Sequence, residues 1–233
     1  KGFYTTQTIW EGNNNEINLT DIQLLPNSPG YVYKYITYKC GFGSFAQGTT
    51  MALAPYGKPI FKEKIGKLTS FIEKWTDIMN LVETQDNVPT YDDNDLLKIV
   101  YSKLNPEERI IIDEIEKAKK EDLAASVQTW LEEHIKNYIL KNKIKNTKNL
   151  VLAGGTFLNC VLNSKLKKKY FENVFIQPAA GDSGIALGAA ILANTNIPLE
   201  KMNHTYFGPE FDNKYIEKML KNKKIEYIKS DEI

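Results

Sequence analysis

The sequence is poor in the residues that build covalent or metal-based frameworks. Cys40 and Cys160 are its only cysteines in 233 residues and form no C-x-x-C pair, which argues against a disulfide scaffold or a cysteine zinc site. His134 and His204 have no partner at metal-ligand spacing, so each is predicted to be an ordinary residue. Cys160 precedes the apolar Val161 and is expected to be a small core residue. Two distant thiols fit a reducing compartment, so we expect a cytoplasmic protein.

The sequence also lacks an excess of charge and any long apolar run. Its 30 basic and 29 acidic residues give a formal net charge of +1, so no basic field favours nucleic acid. No run of 18 apolar residues predicts a membrane span. We therefore expect a soluble globular protein that binds neither nucleic acid nor membranes.

Two strand–glycine–helix units follow one another in residues 149–193. In the first unit, the apolar run 150–152 ends at Gly154 and Gly155, and apolar residues at helical spacing begin at Thr156. Glycine lets a ligand approach the backbone closely, and N–H groups at the start of a helix suit phosphate. The alternative for Gly-Gly after a strand is an ordinary tight turn.

In the second unit, the apolar run 174–176 is broken by Pro178 and Gly181. Asp182 then opens residues 184–192, which are predicted to form a buried helix. Its carboxylate could bind a metal ion that neutralises the same phosphate, or it could simply cap the helix. Two such units in series favour a nucleotide site over two unrelated turns.

The other segments predict a hairpin followed by helices. Strands are expected at 3–10 and 16–25, with a turn at 11–15, and Ser28 is expected to cap a helix over 31–39. Residues 50–54 predict a short helix in a segment that docks against something, because Met51, Leu53 and Tyr56 are costly to expose. A loop that faces a ligand and a loop that packs on the protein both fit this segment.

Residues 61–142 are predicted to form a mostly helical insertion. Apolar residues have helical spacing over 65–82, residues 86–95 are polar and looped, and 96–104 form a short helix. Asn105 is expected to cap the next helix, with Pro106 at its first position. The last helix of the insertion covers 121–142, and its predicted apolar face consists of Leu123, Ala124, Val127, Leu131, Ile135 and Ile139.

The C-terminal residues predict an amphipathic helix over 211–221 and a short strand over 225–228. The whole order is hairpin, helices, strand–helix, strand–helix. It predicts an α/β fold with a mixed sheet and a ligand beyond the carboxyl ends of the parallel strands. Halves of actin-like and hexokinase-like ATPases have this layout.

Several motifs together resemble the nodulation-type O-carbamoyltransferases. They are LAGGTFLNC at 152–160, FENVFIQPAAGDSG at 171–184, ALGAA at 186–190, MALAPYG at 51–57 and GPEF at 208–211. These segments occur in the order of the family along nearly the whole chain. Each motif alone would be weak, whereas the set is specific.

This resemblance implies a fold and a reaction. It implies an actin-like ATPase (ribonuclease H-like) domain, related to the tRNA threonylcarbamoyl transferases. A second domain in the family makes carbamoyl-adenylate from carbamoyl phosphate and ATP. The actin-like domain binds this intermediate with a metal ion and passes the carbamoyl group to the hydroxyl of a small-molecule acceptor.

The resemblance also implies roles for individual residues. Carried over position by position, the residues implied to bind the nucleotide are Gly154, Gly155, Asn159, Gly181 and Gly184. Asp182 would be a catalytic residue and a ligand of a divalent metal, iron in the family. No evident nucleophile is present, so direct attack by the acceptor hydroxyl is the simplest mechanism.

The chain departs from the family pattern at one motif. Gln47, Thr49 and Ala52 replace the glutamate, lysine and glycine of EGKxMGLA, which puts any charge-based role there in doubt. By resemblance, residues 1–233 are a single partial domain, roughly the second half of the transferase domain. The metal-binding histidine pair would lie upstream, and the adenylate-forming domain would lie downstream.

Three alternatives stay open at this point. One is a tRNA threonylcarbamoyl transferase or a sugar-type kinase on the same fold. The second is a non-catalytic nucleotide-binding or assembly module from a split or truncated gene. A homodimer is the third, because the apolar residues of 65–82 suit an interface as well as a core.

Overall fold

The computed structural model describes residues 5–14, 16–43, 45–68, 71–72, 98, 101–142, 147–193, 205 and 208–229. Most of the predicted helix at 65–82, the polar loop at 86–95 and most of the helix at 96–104 lie outside these residues, as does His204.

An antiparallel hairpin opens the described chain, as predicted. Strand β1 (Thr5–Asn13) pairs with β2 (Glu16–Leu24), and Trp10 lies opposite Leu19. The strands extend further into the predicted turn, because Asn14 adopts a left-handed conformation with φ 55°. Asparagine tolerates that conformation better than most residues, so β1 continues through Glu11, Gly12 and Asn13, which were expected to belong to the turn.

Helix α1 (Pro29–Lys39) begins at the predicted cap. The Ser28 hydroxyl accepts a hydrogen bond from the backbone N–H of Tyr31 at 3.3 Å, and Pro29 occupies the first turn. The helix buries a set of large side chains against the core: Val32, Tyr33, Tyr35 and Ile36.

The segment after α1 consists of short helical turns. They are α2 (Gln47–Leu53), a 3₁₀ turn (Ala54–Tyr56) and α3 (Lys62–Ile65). Of the two alternatives for this segment, the structure shows packing, because the segment forms hydrogen bonds to the helix at Lys120–Lys141. The Lys58 N–H donates to Asp122 Oδ1 at 2.8 Å, and the Phe61 N–H donates to Ser126 Oγ at 3.0 Å. Tyr56 was expected to contribute to docking but is 80% exposed.

Two longer helices follow. Helix α4 (Pro106–Glu116) starts with the predicted Asn105 cap, strengthened by a reciprocal hydrogen bond from the Asn105 N–H to Glu108. Helix α5 (Lys120–Lys141) contacts α1, α2, α3 and the 3₁₀ turn at 54–56. Its predicted apolar face is confirmed, since all six residues are buried.

His134 on α5 contacts Gln7 and Trp130. Its Nε2 is 3.3 Å from Gln7 Nε2, and its ring lies 5.1 Å from that of Trp130. Burial lowers the pKa of His134, which favours the neutral ring.

A parallel strand pair follows the helices. Strand β3 (Asn149–Leu152) pairs with β4 (Asn173–Ile176), and α6 (Cys160–Lys169) forms the crossover between them. The α/β class is confirmed, but the single mixed sheet was wrong for the described residues. Their strands form two separate two-stranded sheets, because β1 and β2 bond only to each other and β3 only to β4.

Two C-terminal predictions need correction. Helix α7 (Ile185–Ala193) forms where expected, but none of its residues is buried. Its apolar composition predicts burial, yet burial also needs a facing surface, and the described residues provide none. Residues 225–228 form no strand, since the chain ends α8 (Asn213–Asn222) by turning back at Lys224, which has φ 54°. Backbone bonds from Lys224 to Lys221 and from Ile225 to Leu220 complete this turn.

The chain divides into two compact units, residues 1–187 and 188–233. The first contains both sheets and the core around α5. The second contains the amphipathic α8, whose first turn is capped by the Asp212 carboxylate. In the described parts of the chain, no helix has both the length and the apolar character needed to cross a membrane.

Replacing Gly57 with alanine is expected to destabilise the protein. A Cβ at Gly57 would lie 1.9 Å from the backbone oxygen of Glu121, so the docked segment would have to move away from α5. The backbone at Gly57 is extended, so the effect is steric rather than conformational. We expect a loss of about 1–3 kcal/mol in the free energy of unfolding, measured by urea denaturation.

Gly48→Ala is the matched control. Gly48 lies inside α2, and no described atom outside its chain neighbours and the backbone of α2 comes within 4 Å of the position that a methyl group would take there. Alanine should therefore leave stability unchanged or slightly higher. Equal urea midpoints for the Gly57 and Gly48 variants would contradict the close contact.

Candidate functional site

The two glycine loops meet beyond the carboxyl ends of the parallel strands. The Gly154 N–H donates to the Ala180 carbonyl at 2.6 Å, which joins the loop after β3 to the loop after β4. A Cβ on Gly181 would lie 4.0 Å from Gly155 Cα and 3.7 Å from Leu158 Cδ1. The backbones of the two units therefore converge, and no layer of side chains separates them at Gly155 and Gly181.

The described fold requires glycine at some positions of these loops and not at others. Gly154 has φ 108°, a conformation that other residues rarely adopt. A Cβ on Gly184 would lie 2.2 Å from the Ala179 carbonyl oxygen. Gly155, by contrast, has no left-handed φ, and apart from its own turn and chain neighbours no described atom lies within 4 Å of its Cβ position. The described protein therefore does not itself require glycine at 155, which leaves room for a ligand.

The α-helix of the first unit starts later than predicted. Residues Gly155–Leu158 form a 3₁₀ turn, and α6 begins only at Cys160. The reason is Asn159, whose Oδ1 accepts the Leu162 N–H at 3.0 Å and so caps α6. Among the described residues, the Gly155 and Thr156 N–H groups at the start of the 3₁₀ turn have no acceptor, so they are available as donors beside the glycines.

Asn159 also bonds to the core helix α5. Its Nδ2 donates to Gln128 Oε1 at 2.8 Å, and Gln128 Nε2 donates back to Asn159 Oδ1 at 3.2 Å. Gln128 in turn accepts the Tyr33 hydroxyl at 2.9 Å and donates to Glu132 Oε1 at 2.9 Å. Lys165 of α6 forms an ion pair with the other Glu132 oxygen. The glycine loop is thus anchored to α1 and α5 through buried polar groups.

Asp182 lies in the second loop, at the first position of a 3₁₀ turn (Asp182–Gly184). Gly181, not Asp182, is the capping residue of that turn. Within the described ranges, the exposed Asp182 carboxylate has no hydrogen-bond or ion-pair partner. It is therefore available to a ligand, and the simple capping interpretation does not account for it.

The described residues do not form a metal site on their own. They contain no group of three or more histidine, cysteine, aspartate or glutamate side chains placed to hold an ion. A single carboxylate supplies one or two of the four to eight ligands that protein-bound cations take. The described residues therefore supply at most part of a metal site.

Three residues beside the loops were not predicted from the sequence. Gln128 looks like one more polar residue on an amphipathic helix, and Ala180 contributes only its backbone. Gln177 follows β4 and packs against Gly184, where a Cβ would meet its side-chain oxygen at 2.9 Å. That oxygen is buried and has no hydrogen-bond partner in the described structure.

The two cysteines are free, but they differ in burial. Cys40 is buried, whereas Cys160 is exposed, with its Sγ 3.9 Å from Met51 Sδ. The prediction that Cys160 is a core residue was wrong. Because α6 starts at Cys160, the buried face of the helix falls on Leu162 and Leu166 instead.

Two variants of Asn159 separate its cap from its amide pair. Asn159→Ser keeps an oxygen that can cap α6 but loses the bonds to Gln128, and Asn159→Ala loses both. We expect both variants to be less stable than the wild type, with alanine about 1 kcal/mol below serine in the free energy of unfolding. Urea denaturation measures the difference, and identical values for serine and alanine would show that the cap does not contribute.

This chain is similar to a known protein family and to several individual proteins. A sequence model described as Carbamoyltransferase N-terminus matches residues 1–191. The uncharacterized protein sll1178 of Synechocystis sp. is 30% identical over 97% of this chain and 38% of its own length. The uncharacterized protein MJ1058 of Methanocaldococcus jannaschii is 32% identical over 84% of this chain and 31% of its own length.

A nodulation protein is also similar. NolNO of Sinorhizobium fredii is 31% identical over 79% of this chain and 26% of its own length. The chain thus spans about a third of the length of the relatives it matches. The family match covers most of the chain and both glycine loops, and this chain therefore belongs to the carbamoyltransferase N-terminus family.

Proposed function

We propose that this chain is part of an O-carbamoyltransferase and that its two glycine loops bind the phosphate of carbamoyl-adenylate or of ATP. The observation that carries the proposal is the contact between the loops, with Gly155 facing open space. Membership of the carbamoyltransferase N-terminus family supports the reaction class.

In the proposed reaction, the oxygen of a small-molecule hydroxyl attacks the carbamoyl carbon of carbamoyl-adenylate. The bond from that carbon to the phosphate oxygen breaks, and AMP leaves with the electron pair while the hydroxyl proton passes to a base. Backbone N–H groups at Gly155 and Thr156 would stabilise the negative charge that moves onto the phosphate. Such donors need no reorganisation during the reaction, because the turn already fixes them.

Asp182 has a separate proposed role. We assign its unpaired carboxylate to a divalent metal ion, iron by resemblance, whose other ligands would come from outside the described residues. The ion, when bound, would offset phosphate charge. Gly181 and Gly184 shape the loop that presents Asp182, since Gly184 allows the turn to pack against the Ala179 carbonyl.

Gly155→Ala tests the phosphate site. The variant should fold normally, because its methyl group meets no described atom outside its own turn and chain neighbours. It should bind ATP at least about tenfold more weakly, a change of ~1.4 kcal/mol, since the methyl group occupies the space of the phosphate. Isothermal titration calorimetry with ATP measures this, with Gly48→Ala as the control of equal chemistry. Unchanged affinity in Gly155→Ala would remove the loop from the binding site.

Asp182→Asn tests the carboxylate in the natural protein that contains this chain. Carbamoyl transfer from carbamoyl phosphate and ATP to hydroxylated acceptors should fall by about 100-fold or more, since losing a residue that only supports a metal ligand already costs about 10–100-fold. Glu172→Gln is the control, because Glu172 precedes β4 and so lies at the opposite end of the same strand. Full turnover in Asp182→Asn would exclude the role. Modification of tRNA instead of small acceptors would favour the threonylcarbamoyl alternative.

A further inference from the structure

We propose that Gln128 is a positioning residue for the nucleotide, holding the Asn159 amide so that one of its N–H bonds is kept for the ligand. This inference rests on the proposed function and adds a part to it. It assigns a role in binding to a buried core residue that belongs to neither glycine loop.

Gln128 and Asn159 form a pair of reciprocal hydrogen bonds through their side-chain amides. Each amide donates to the other, at 2.8 Å and 3.2 Å, so the two planes fix one another. Gln128 is only 6% exposed and lies on α5, the helix that contacts most of the core. A paired arrangement anchored on a rigid element restricts Asn159 more than a single hydrogen bond would.

The direction of every bond in this network is determined at its two ends. At one end the backbone N–H of Leu162 can only donate, so the Asn159 atom that it meets must be Oδ1. At the other end the Glu132 carboxylate, paired with Lys165, accepts, so the Gln128 atom that it meets must be Nε2. Neither amide can flip without placing two donors or two acceptors face to face.

The Tyr33 hydroxyl completes the set. It donates to Gln128 Oε1 at 2.9 Å, and burial raises the pKa of Tyr33, with smaller contributions from Cys40 and Glu132, so the hydroxyl stays protonated. Gln128 then uses both N–H bonds and both acceptor positions of its oxygen. A glutamine with every hydrogen-bonding position occupied by protein has none left for substrate, so its own role is indirect.

Asn159 differs from Gln128 in one respect. Its Oδ1 accepts from Leu162 and Gln128 and is fully used, whereas Nδ2 has one of its two hydrogens left by the described residues. Asn159 closes the 3₁₀ turn that starts at Gly155, and its backbone N–H bonds to Thr156. The remaining hydrogen suits an acceptor oxygen of the nucleotide, either on phosphate or on ribose. Losing Gln128 would free the Asn159 amide to rotate and flip.

The test compares two buried polar residues on the same helix. Gln128→Met removes all four hydrogen bonds at similar volume. Ser126→Ala removes a hydroxyl that is 0% exposed and bonds to Phe61 and Asp122, with no link to Asn159. Calorimetry with ATP and with AMP gives Kd, and thermal unfolding shows that each variant is folded at the titration temperature.

We expect Gln128→Met to raise Kd for both nucleotides about tenfold, and Ser126→Ala to change Kd less than about twofold while lowering the midpoint of unfolding. Tyr33→Phe removes one of the four bonds and should raise Kd by an intermediate factor. If Gln128→Met does not fold, the Kd of Tyr33→Phe is compared with the Kd of Ser126→Ala instead, and this comparison tests the positioning role.

The outcomes separate this inference from the proposed function. Unchanged Kd in Gln128→Met, with Gly155→Ala still weakened, would overturn the positioning role and leave the phosphate site intact. Equal weakening by Gln128→Met and Ser126→Ala would also overturn it, because the effect would then be one of general stability. Failure of the wild-type protein to bind either nucleotide would overturn the proposed function itself.

Discussion

The burial of helix α5 is the constraint on which the described fold depends. Its apolar face, from Leu123 to Ile139, is covered by α1 and by the short turns of residues 47–65. Apolar burial of this kind is the main favourable term in folding, but it is non-directional and would allow the helix to slide or rotate. Polar residues on the same helix remove that freedom. Ser126 bonds to the backbone at Phe61, and Gln128 bonds to Asn159. The segment at Phe61 and the loop at Asn159 can therefore each dock on α5 at only one position.

This coupling explains how a loop at a sheet edge acquires a fixed position. A buried amide left without partners costs about 1–3 kcal/mol, so the arrangement that satisfies Gln128 is selected over its alternatives. The same bonds place Asn159 at the end of the turn that begins at Gly155. Contact between the Gly154 N–H and Ala180 then extends the order to the second loop. A core interaction therefore reaches the proposed phosphate site in two steps.

Local signals predicted the elements that depend on neighbours in sequence. The Ser28 and Asn105 caps, the apolar face of α5 and the two parallel strands were confirmed, because caps and periodicity act within one or two turns. The late start of α6 had a local signal that was overlooked, since Asn159 is a good capping residue. The missing strand at 225–228 reflects a competing contact, as the Tyr227 hydroxyl donates to Glu217 on α8. A strand also needs a partner, and alternation alone cannot supply one.

The sequence by itself determined the family, the glycine loops and the existence of most described helices and strands, since these depend on residue order and on backbone preferences. Only the tertiary structure decided which glycines the fold itself requires: Gly57 and Gly184 touch distant or adjoining backbone, while Gly155 faces open space. It also revealed Gln128, whose partners Tyr33 and Asn159 are 95 and 31 residues away along the chain. Hydrogen bonds across such separations leave no periodic pattern, because their geometry exists only once the helices have packed.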